Sequence, residues 1–146
     1  MRKRNLIVTR KAEKKKLLIK DPKTRKFYLK FKSIILKKIK KDNFAVAVSG
    51  GSDSLCLSYF SKLYKNEFRN TVHTLIVDHK LRKESKKEAL NVKNILKKRG
   101  IESKVLNWTG KIPKTNIQKN ARNMRYFLLA KYCLKNNIKY LITAHH

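Results

Sequence analysis

Apolar positions along the chain recur with two different spacings, and the two spacings alternate. Four short apolar segments are typical of buried strands: 44–48, 72–77, 103–108 and 140–144. Four longer segments place apolar residues at helical spacing: 27–41, the stretch that starts at Leu55, 84–99 and 116–136. Strands that alternate with helices of this length predict an α/β fold, a parallel sheet with helices on both faces and right-handed crossovers.

The same spacing predicts which side chains face the core. In the helix that starts at Leu55, the inward positions are Leu55, Leu57, Tyr59, Phe60 and Leu63. In the helix over 84–99 they are Ala89, Leu90, Val92, Ile95 and Leu96. Gly100 is placed to end that helix. Trp108 is predicted in the core of the third strand, with base stacking as the alternative.

The chain divides near Asp21-Pro22, a dipeptide that breaks regular structure. Residues 1–26 are basic and have few apolar positions, so we expect them to form a mobile N-terminal arm. The remaining residues, 27–146, suffice for one domain with a hydrophobic core.

A glycine-rich turn joins the first strand to the next helix: Ser49-Gly-Gly-Ser-Asp-Ser54. A buried strand that ends at such a turn directs the unpaired backbone N–H groups of the next helix at an anion. Gly50 and Gly51 allow positive φ and a close approach to phosphate oxygens, and the three serine hydroxyls can donate hydrogen bonds. The turn therefore predicts a phosphate-binding site in which Ser49, Ser52 and Ser54 take part.

Asp53 needs a different role, because an ionised carboxylate cannot donate a hydrogen bond to phosphate. Two roles stay open for it: a ligand to a phosphate-bound Mg²⁺, or the N-cap of the helix. The turn has neither the Gly-Lys-Ser/Thr of a Walker A loop nor the Gly-x-Gly-x-x-Gly of a dinucleotide site. A flexible linker is the remaining alternative, and the position between a Val-rich strand and an amphipathic helix argues against it.

Polar residues also follow the second and fourth predicted strands. Asp78 and His79 end the second strand, and His145 and His146 follow the fourth. Since the carboxyl ends of parallel strands share one edge of a sheet, we expect all of them to meet the glycine-rich turn there. The two adjacent histidines point in opposite directions on a strand, so we do not expect them to share a metal. An ordinary polar strand end is the alternative for Asp78 and His79.

Arg122 and Arg125 lie three residues apart in the last predicted helix, so they share a face and can clamp a phosphate. The alternative is a solvated basic face, with Tyr126, Leu129 and Cys133 in the core beneath it. Arg82 is a further candidate for a phosphate contact.

The composition of the chain indicates a type of binding partner and a cellular compartment. The chain has 39 Lys and Arg against 9 Asp and Glu, a formal charge of +30, which favours a polyanionic partner, most simply RNA. Many of the lysines are expected on solvated helix faces. Cys56 and Cys133 are isolated and are predicted to be core residues in a reducing compartment. With no apolar run of membrane-span length and no secretory h-region, we expect a cytoplasmic protein without a membrane partner.

The glycine-rich turn matches the SGGxDS signature of the PP-loop, or N-type, ATP pyrophosphatases. Further motifs follow in the chain: Asp78-His79 with Leu81-Arg82, Asn116-Ile-Gln118 with Ala121-Arg122 and Arg125-Tyr126, and Thr143-Ala-His-His146. In this order they resemble the tRNA(Ile)-lysidine synthases, over residues 44–146. The resemblance implies a HUP-like (adenine nucleotide alpha hydrolase-like) fold, with ATP and Mg²⁺ as cofactors. It also implies that residues 49–54 hold the pyrophosphate part of ATP.

The activity that the resemblance implies is ATP-dependent ligation of free lysine to C2 of the wobble cytidine of tRNA(Ile) bearing a CAU anticodon. The reaction passes through an adenylated tRNA and releases pyrophosphate and AMP. By resemblance, Asp78 and His79 position the substrate or the metal, Asp53 and Asp78 are the candidate Mg²⁺ ligands, and Arg122 and Arg125 lie near ATP or the tRNA. No residue is expected to act as a covalent nucleophile.

Members of that family continue beyond the position of His146, so we expect an ATP-binding domain that is incomplete at its C-terminal end. Three alternatives stay open. One is a nucleotide-binding or RNA-binding fragment without turnover. The second is a different PP-loop tRNA-modifying enzyme, such as a thiolase, against which the lack of a Cys-x-x-Cys pair argues. The third is an amidotransferase-linked or NAD-type synthetase, which shares ATP adenylation but has little use for a basic RNA-binding face.

Overall fold

A computed structural model describes residues 19–144 of the chain, in which helices and strands alternate as the sequence predicts. The elements follow in the order α1 (Pro22–Lys38), β1 (Phe44–Ala47), α2 (Ser52–Phe68), β2 (Val72–Asp78), α3 (Ser85–Lys98), β3 (Ser103–Asn107), α4 (Ile117–Lys135) and β4 (Tyr140–Ile142).

The strands form one parallel sheet in the order β3-β2-β1-β4. Phe44 of β1 pairs with Val72 on one side and with Tyr140 on the other, and Thr74 of β2 pairs with Ser103. The order reverses between β1 and β4, because the chain first moves outward from β1 to β3 and then crosses back. This reversal makes the end of β1 the expected position for a ligand in an open α/β sheet.

Hydrophobic clusters on the two faces of the sheet confirm that helices cover both. On one face, α1, α2 and α3 pack on β1 residues such as Phe44 and Val46. On the opposite face, Leu129 and Cys133 of α4 pack on Ala45 and on β2. Successive strand residues point to opposite faces, which is why the apolar run of β1 supplies both clusters.

Helix α1 begins earlier than its apolar spacing predicts. It starts at Pro22 rather than at residue 27, because the Asp21 carboxylate accepts a 2.6 Å hydrogen bond from the Thr24 backbone N–H and caps the helix. Tyr28 is buried against Phe60 of α2. Residues 22–26 are therefore helical, which corrects that part of the predicted mobile arm, while residues 1–18 lie outside the described part of the chain.

The prediction for the inward positions of α2 is confirmed in part, since Phe60 is buried and Leu55 and Leu57 pack against the core. The face of α2 toward the sheet carries the buried serines Ser54, Ser58 and Ser61, and the predicted leucines are only partly buried. Ser58 and Ser61 donate to the carbonyls of Leu55 and Leu57, so their hydroxyls are satisfied within the helix. Small residues at these positions suit a helix that approaches the strands closely.

Three single positions also correct the sequence analysis. Leu90 of α3 is exposed, because the inward stripe of α3 runs through Ala89, Val92 and Leu96 instead. Cys56 is exposed, whereas Cys133 is buried as predicted. Trp108 follows the last residue of β3 and is partly exposed, so it is not a strand-core residue. Gly100, in contrast, ends α3 with a φ of +65° as predicted.

None of the helices between residues 19 and 144 combines the length and apolarity needed to cross a bilayer.

Candidate functional site

A cavity of about 320 Å³ opens at the carboxyl ends of β1, β2 and β4. Beyond the strand ends, five parts of the chain line it: the glycine-rich turn, the segment that follows β2, the first turns of α3, the middle of α4, and Thr143 with Ala144 after β4. The predicted convergence is therefore confirmed for the glycine-rich turn and His79, whereas Asp78 does not line the cavity. His145 and His146, which follow Ala144, lie outside the described residues.

Ser54 holds the glycine-rich turn in shape. Its hydroxyl accepts hydrogen bonds from the backbone N–H groups of Ser49 and Gly50, both at 3.2 Å, and donates one of 2.9 Å to the Gly51 carbonyl. The side chain is only 5% exposed. Since its proton is already donated within the turn, the geometry differs from the predicted direct donation to phosphate.

Gly50 and Gly51 differ in backbone conformation and in what surrounds them. Gly50 has a φ of +97°, and a Cβ there would lie 2.6 Å from Cγ2 of Val92 on α3. A side chain at Gly50 would thus collide with α3 as well as strain the backbone. Gly51 has a φ of −69°, so the expected positive φ is wrong for this residue. Its hydrogen atom leaves the lining of the cavity open.

The N-terminus of α2 faces the cavity without a side-chain cap. Gly51 is the N-cap and provides no side-chain hydrogen bond, so the first-turn N–H groups are not occupied by a capping side chain. The N-cap alternative for Asp53 is therefore wrong, because Asp53 lies inside the first turn. Ser52 and Asp53 both line the cavity, and their side chains are 3.4 Å apart. The arrangement offers N–H donors and a positive helix end to a bound anion, and it places the Asp53 carboxylate beside them for a cation.

Asp78 lies at the same sheet edge but faces inward. It is 2% exposed and does not belong to the lining of the cavity. Its Oδ1 accepts hydrogen bonds from the Ser85 hydroxyl at 2.6 Å and from the Lys80 N–H at 3.0 Å. Its Oδ2 is buried without a hydrogen-bond partner among residues 19–144. Asp78 thus ties the end of β2 to the start of α3.

His79 does line the cavity, and its ring is held by the loop it begins. Its Nδ1 accepts a 3.3 Å hydrogen bond from the Leu81 N–H, which places the proton of the neutral ring on Nε2. Burial lowers the pKa of His79 below 6.5, and the positive charges of Arg125 and Arg82 lower it further. At neutral pH the imidazole is therefore an uncharged hydrogen-bond donor toward the cavity.

The two candidate arginines of α4 separate in the structure. Arg125 lines the cavity together with Tyr126. Arg122 is exposed outside it, with its guanidinium 5.6 Å from the centre of the Tyr126 ring. Arg82 also lines the cavity and forms a 3.3 Å ion pair with Glu88 of α3. The cavity thus has two cationic side chains, one of them paired with a carboxylate.

The sequence analysis missed Ser85 and Glu88, both of which lie on the first turns of α3 and line the cavity. A hydroxyl at the start of a helix, seven residues after a carboxylate at a strand end, is the signal that could have pointed to Ser85.

A magnesium ion would have few protein ligands here. In the part of the chain that the structure describes, no three His, Cys, Asp or Glu residues cluster closely enough to hold a metal. Mg²⁺ suits this donor set nevertheless, because it is often held by one or two carboxylates together with phosphate oxygens and water. Asp53, exposed in the cavity lining, fits that role better than the buried Asp78.

Comparison with known proteins defines the class. The sequence profile of the PP-loop domain matches residues 23–146, and the chain belongs to that family. It is 48% identical over 105 residues to the tRNA(Ile)-lysidine synthase of Wolbachia pipientis wMel and 41% identical over 102 residues to that of Orientia tsutsugamushi (strain Boryong). Each alignment covers 70% of this chain but only 24% and 23% of the respective relative. The chain thus spans about a quarter of their length.

Solved structures support the fold alone. The U34-tRNA thiolase NcsA from Methanococcus maripaludis, solved with its [4Fe-4S] cluster, superposes with a TM-score of 0.67 at 16% identity, covering 84% of this chain and 47% of that one. The NH3-dependent NAD synthetase from Campylobacter jejuni gives a TM-score of 0.53 at 19% identity, covering 80% and 55%.

Proposed function

We propose that this chain binds ATP in the cavity and serves in the ligation of free lysine to C2 of the wobble cytidine of tRNA(Ile) with a CAU anticodon. One observation carries the proposal: the glycine-rich turn, the uncapped N-terminus of α2 and Arg125 surround a single cavity. The similarity to curated tRNA(Ile)-lysidine synthases supports this choice of substrate and reaction.

The chemistry has two steps. The C2 oxygen of cytidine attacks the α-phosphorus of ATP, and pyrophosphate leaves. The lysine amine then attacks C2, and the oxygen departs with AMP, which leaves lysidine in the tRNA. Because C2 carries a poor leaving group until it is adenylated, the protein's task is to hold the triphosphate, balance its charge and align the two substrates.

The lining residues suit these tasks. The first-turn N–H groups of α2 and the hydroxyls of Ser49 and Ser52 bind phosphate oxygens, while Ser54 and Gly50 keep the turn in shape. Asp53 holds Mg²⁺, which neutralises charge on the phosphates when it is bound. The site needs no covalent nucleophile.

Residues on the other side of the cavity supply charge and orientation. Arg125 binds a phosphate, and the neutral His79 donates a hydrogen bond from Nε2 to a substrate oxygen. Asp78 positions the loop that carries His79 instead of holding the metal, since its carboxylate is buried beneath the cavity. Arg122, outside the cavity, is placed to meet RNA rather than ATP.

A thiolase is the weaker candidate. Its support is the fold similarity to NcsA, at 16% identity. Cys56 and Cys133 lie on α2 and α4, and neither lines the cavity. A nucleotide-binding or RNA-binding role without turnover is the second alternative, and the test below separates it from lysine ligation.

The test is transfer of radiolabelled lysine to a tRNA(Ile) transcript with a CAU anticodon, in the presence of ATP and Mg²⁺. The chain is compared with Asp53→Ala and with Asp42→Ala, an exposed aspartate before β1 that serves as the matched control. Lysine ligation predicts label in the tRNA with the chain and with Asp42→Ala, and its loss with Asp53→Ala. ATP binding that depends on Asp53 without any label would favour binding without turnover, and the absence of both would refute the proposal.

A further inference from the structure

A second cleft, of about 330 Å³, lies on the outer side of α4, between that helix and the loop that follows β3. Its walls are aromatic: Trp108 and Phe127 meet edge to face, with ring centroids 6.0 Å apart. The Phe127 side chain is 57% exposed. Asn120 and Asn123 line the cleft as well, so amide groups lie beside the two rings.

Trp108 is held in a fixed orientation. Its indole N–H donates a 3.1 Å hydrogen bond to the Lys111 carbonyl. A Cβ at Gly110 would lie 2.6 Å from Cζ2 of the indole, so the ring packs directly against the Gly110 backbone. An exposed aromatic wall that is already fixed loses little conformational freedom when a ligand stacks on it.

The segment of the chain that forms this cleft carries charge of one sign. The sequence contains no Asp or Glu from Ser103 to His146, because all of its acidic residues precede Ser103. Its cationic residues are Lys104, Lys111, Lys114, Lys119, Arg122, Arg125, Lys131, Lys135 and Lys139. Lys111 lines the cleft itself. The surface is therefore complementary to a polyanion at the place where it exposes aromatic rings.

Helix α4 also connects the cleft to the nucleotide cavity. Arg125 and Tyr126 line the cavity, and their neighbours Met124 and Phe127 line the cleft. Because successive residues of a helix point about 100° apart, the two sites lie on adjacent faces of the same turns. One polynucleotide can therefore contact both.

We propose that this cleft binds an unstacked base of single-stranded RNA, which stacks on the exposed ring of Phe127 beside Trp108. The inference rests on the proposed function, in which RNA is the substrate. Unpaired bases of RNA loops stack on aromatic side chains and hydrogen-bond to amides, whereas a base inside a duplex presents no free face. A neutral protein surface would pack on the aromatic walls but would leave the positive charge of this segment without a partner.

Trp108 is the only tryptophan of the chain, so its fluorescence reports on the cleft directly. We would titrate the chain, without ATP or lysine, with a single-stranded RNA heptamer, with the same heptamer paired to its complement, and with an abasic heptamer. Base stacking predicts that the single strand quenches Trp108, whereas the duplex and the abasic strand do not. Equal effects of the abasic and the intact strand would show that phosphates alone bind, and would overturn the proposal.

Two variants of α4 sharpen the test, since both retain Trp108. Phe127→Ala removes one wall, and we expect it to weaken binding of the heptamer by about 5- to 100-fold. Leu134→Ala is the matched control, because Leu134 is 79% exposed in the last turn of the same helix and does not line the cleft. Its affinity should stay within about twofold of the parent chain. Equal losses in the two variants would refute a stacking site.

Salt dependence separates stacking from charge. Lys111→Ala should reduce the slope of log affinity against log salt by about one, whereas Phe127→Ala should leave the slope unchanged.

Sedimentation velocity of Phe127→Ala and Leu134→Ala tests whether a second copy of the chain occupies the cleft instead of RNA. If Phe127→Ala abolishes a dimer of the parent chain but leaves the RNA affinity unchanged, the cleft binds a second copy of the chain instead of RNA.

The RNA-binding test of the cleft and the lysine-transfer test of the proposed function can fail separately. If lysine is transferred but Phe127→Ala binds RNA like the parent chain, the cleft inference fails and the proposed function stands. If no lysine is transferred while Trp108 is quenched by the single strand alone, the base site stands and the proposed function fails.

Discussion

The hydroxyl of Ser85 donates a 2.6 Å hydrogen bond to the carboxylate of Asp78, and both side chains are almost completely buried. The same carboxylate accepts the Lys80 N–H, so Asp78 fixes both ends of the segment 79–84 between β2 and α3. This segment carries His79 and Arg82 into the nucleotide cavity. The strand-end aspartate thus acts on the site through the loop that it holds.

Replacement of Ser85 should therefore lower the stability of the fold. Ser85→Ala removes the hydroxyl donor to a buried carboxylate, and we expect a loss of about 1–3 kcal/mol in the free energy of unfolding. Urea denaturation measures it. Ser103→Ala is the control, because the Ser103 hydroxyl is buried without a partner in the described residues and should cost less than about 0.5 kcal/mol. Similar values for both variants would contradict the anchoring role of the Ser85 hydroxyl.

The glycine-rich turn should tolerate alanine at one glycine and not at the other. Gly50→Ala places a Cβ 2.6 Å from Val92 at a φ of +97°, and we expect it to lower the free energy of unfolding by about 2 kcal/mol or more. In Gly51→Ala the nearest contact is 3.8 Å away at an ordinary φ, and stability should change little. Thermal unfolding in the absence of nucleotide gives both values. Equal stability of the two variants would argue against the close approach of the turn to α3.

His79 should titrate below the ordinary histidine range. Burial lowers its pKa below 6.5, with Arg125 and Arg82 as further causes. Because the pKa of His79 is lower in the folded than in the unfolded chain, the unfolded chain binds a proton first as the pH falls. The fold therefore keeps its full stability above about pH 6.5 and loses part of it as the pH falls below 6.5. We expect NMR titration to give a midpoint below 6.5 for His79, and Arg125→Gln to raise it.

His73 provides the internal control for that titration. Its pKa is also lowered, by burial and then by Lys65, and its Nδ1 lies 3.0 Å from the Tyr132 hydroxyl. The charge of Arg125 is not among the causes of this shift. Arg125→Gln should therefore leave the His73 midpoint unchanged. A shift of both histidines would point to a general structural change instead of a local charge effect.

The early start of α1 gives a prediction for the N-terminal boundary of the domain. Asp21→Ala removes the carboxylate that caps α1 through the Thr24 N–H, and we expect a loss of about 1 kcal/mol in the free energy of unfolding. Asp42→Ala, which removes an exposed carboxylate that lies between α1 and β1, should have an effect below about 0.5 kcal/mol in the same urea titration. An Asp21→Ala variant as stable as the parent would argue that α1 contributes nothing to the fold through its cap.

The sequence predicted the sheet and the position of the site because both follow from local patterns. The apolar run of β1 and the Ser49–Ser54 motif specify a strand followed by a phosphate-binding turn, and parallel strands bring His79 to the same edge. Apolar spacing predicts α1 only from residue 27, whereas the Asp21 cap, which is local and visible in the sequence, sets its start at Pro22.

The orientation of single side chains could not be predicted in the same way. Spacing predicts Arg122 and Arg125 on one helical face, but only Arg125 lines the cavity, while the Arg122 guanidinium lies against the Tyr126 ring. Asp78 turns inward because Ser85 and Lys80 satisfy its carboxylate, and that contact depends on how α3 packs against β2. The exposed aromatic cleft at Trp108 likewise depends on the path of the loop before α4.

Binding of ATP to the two α4 variants tests the central claim most directly. We would titrate ATP with Mg²⁺ into the parent chain, Arg125→Gln and Arg122→Gln by calorimetry. Arg125 lines the cavity, and loss of its charge should weaken binding by about 10- to 100-fold. Arg122 lies outside the cavity, and its variant should bind within about twofold of the parent chain. No ATP binding by the parent chain, or equal losses in the two variants, would contradict the assignment of this cavity to the triphosphate.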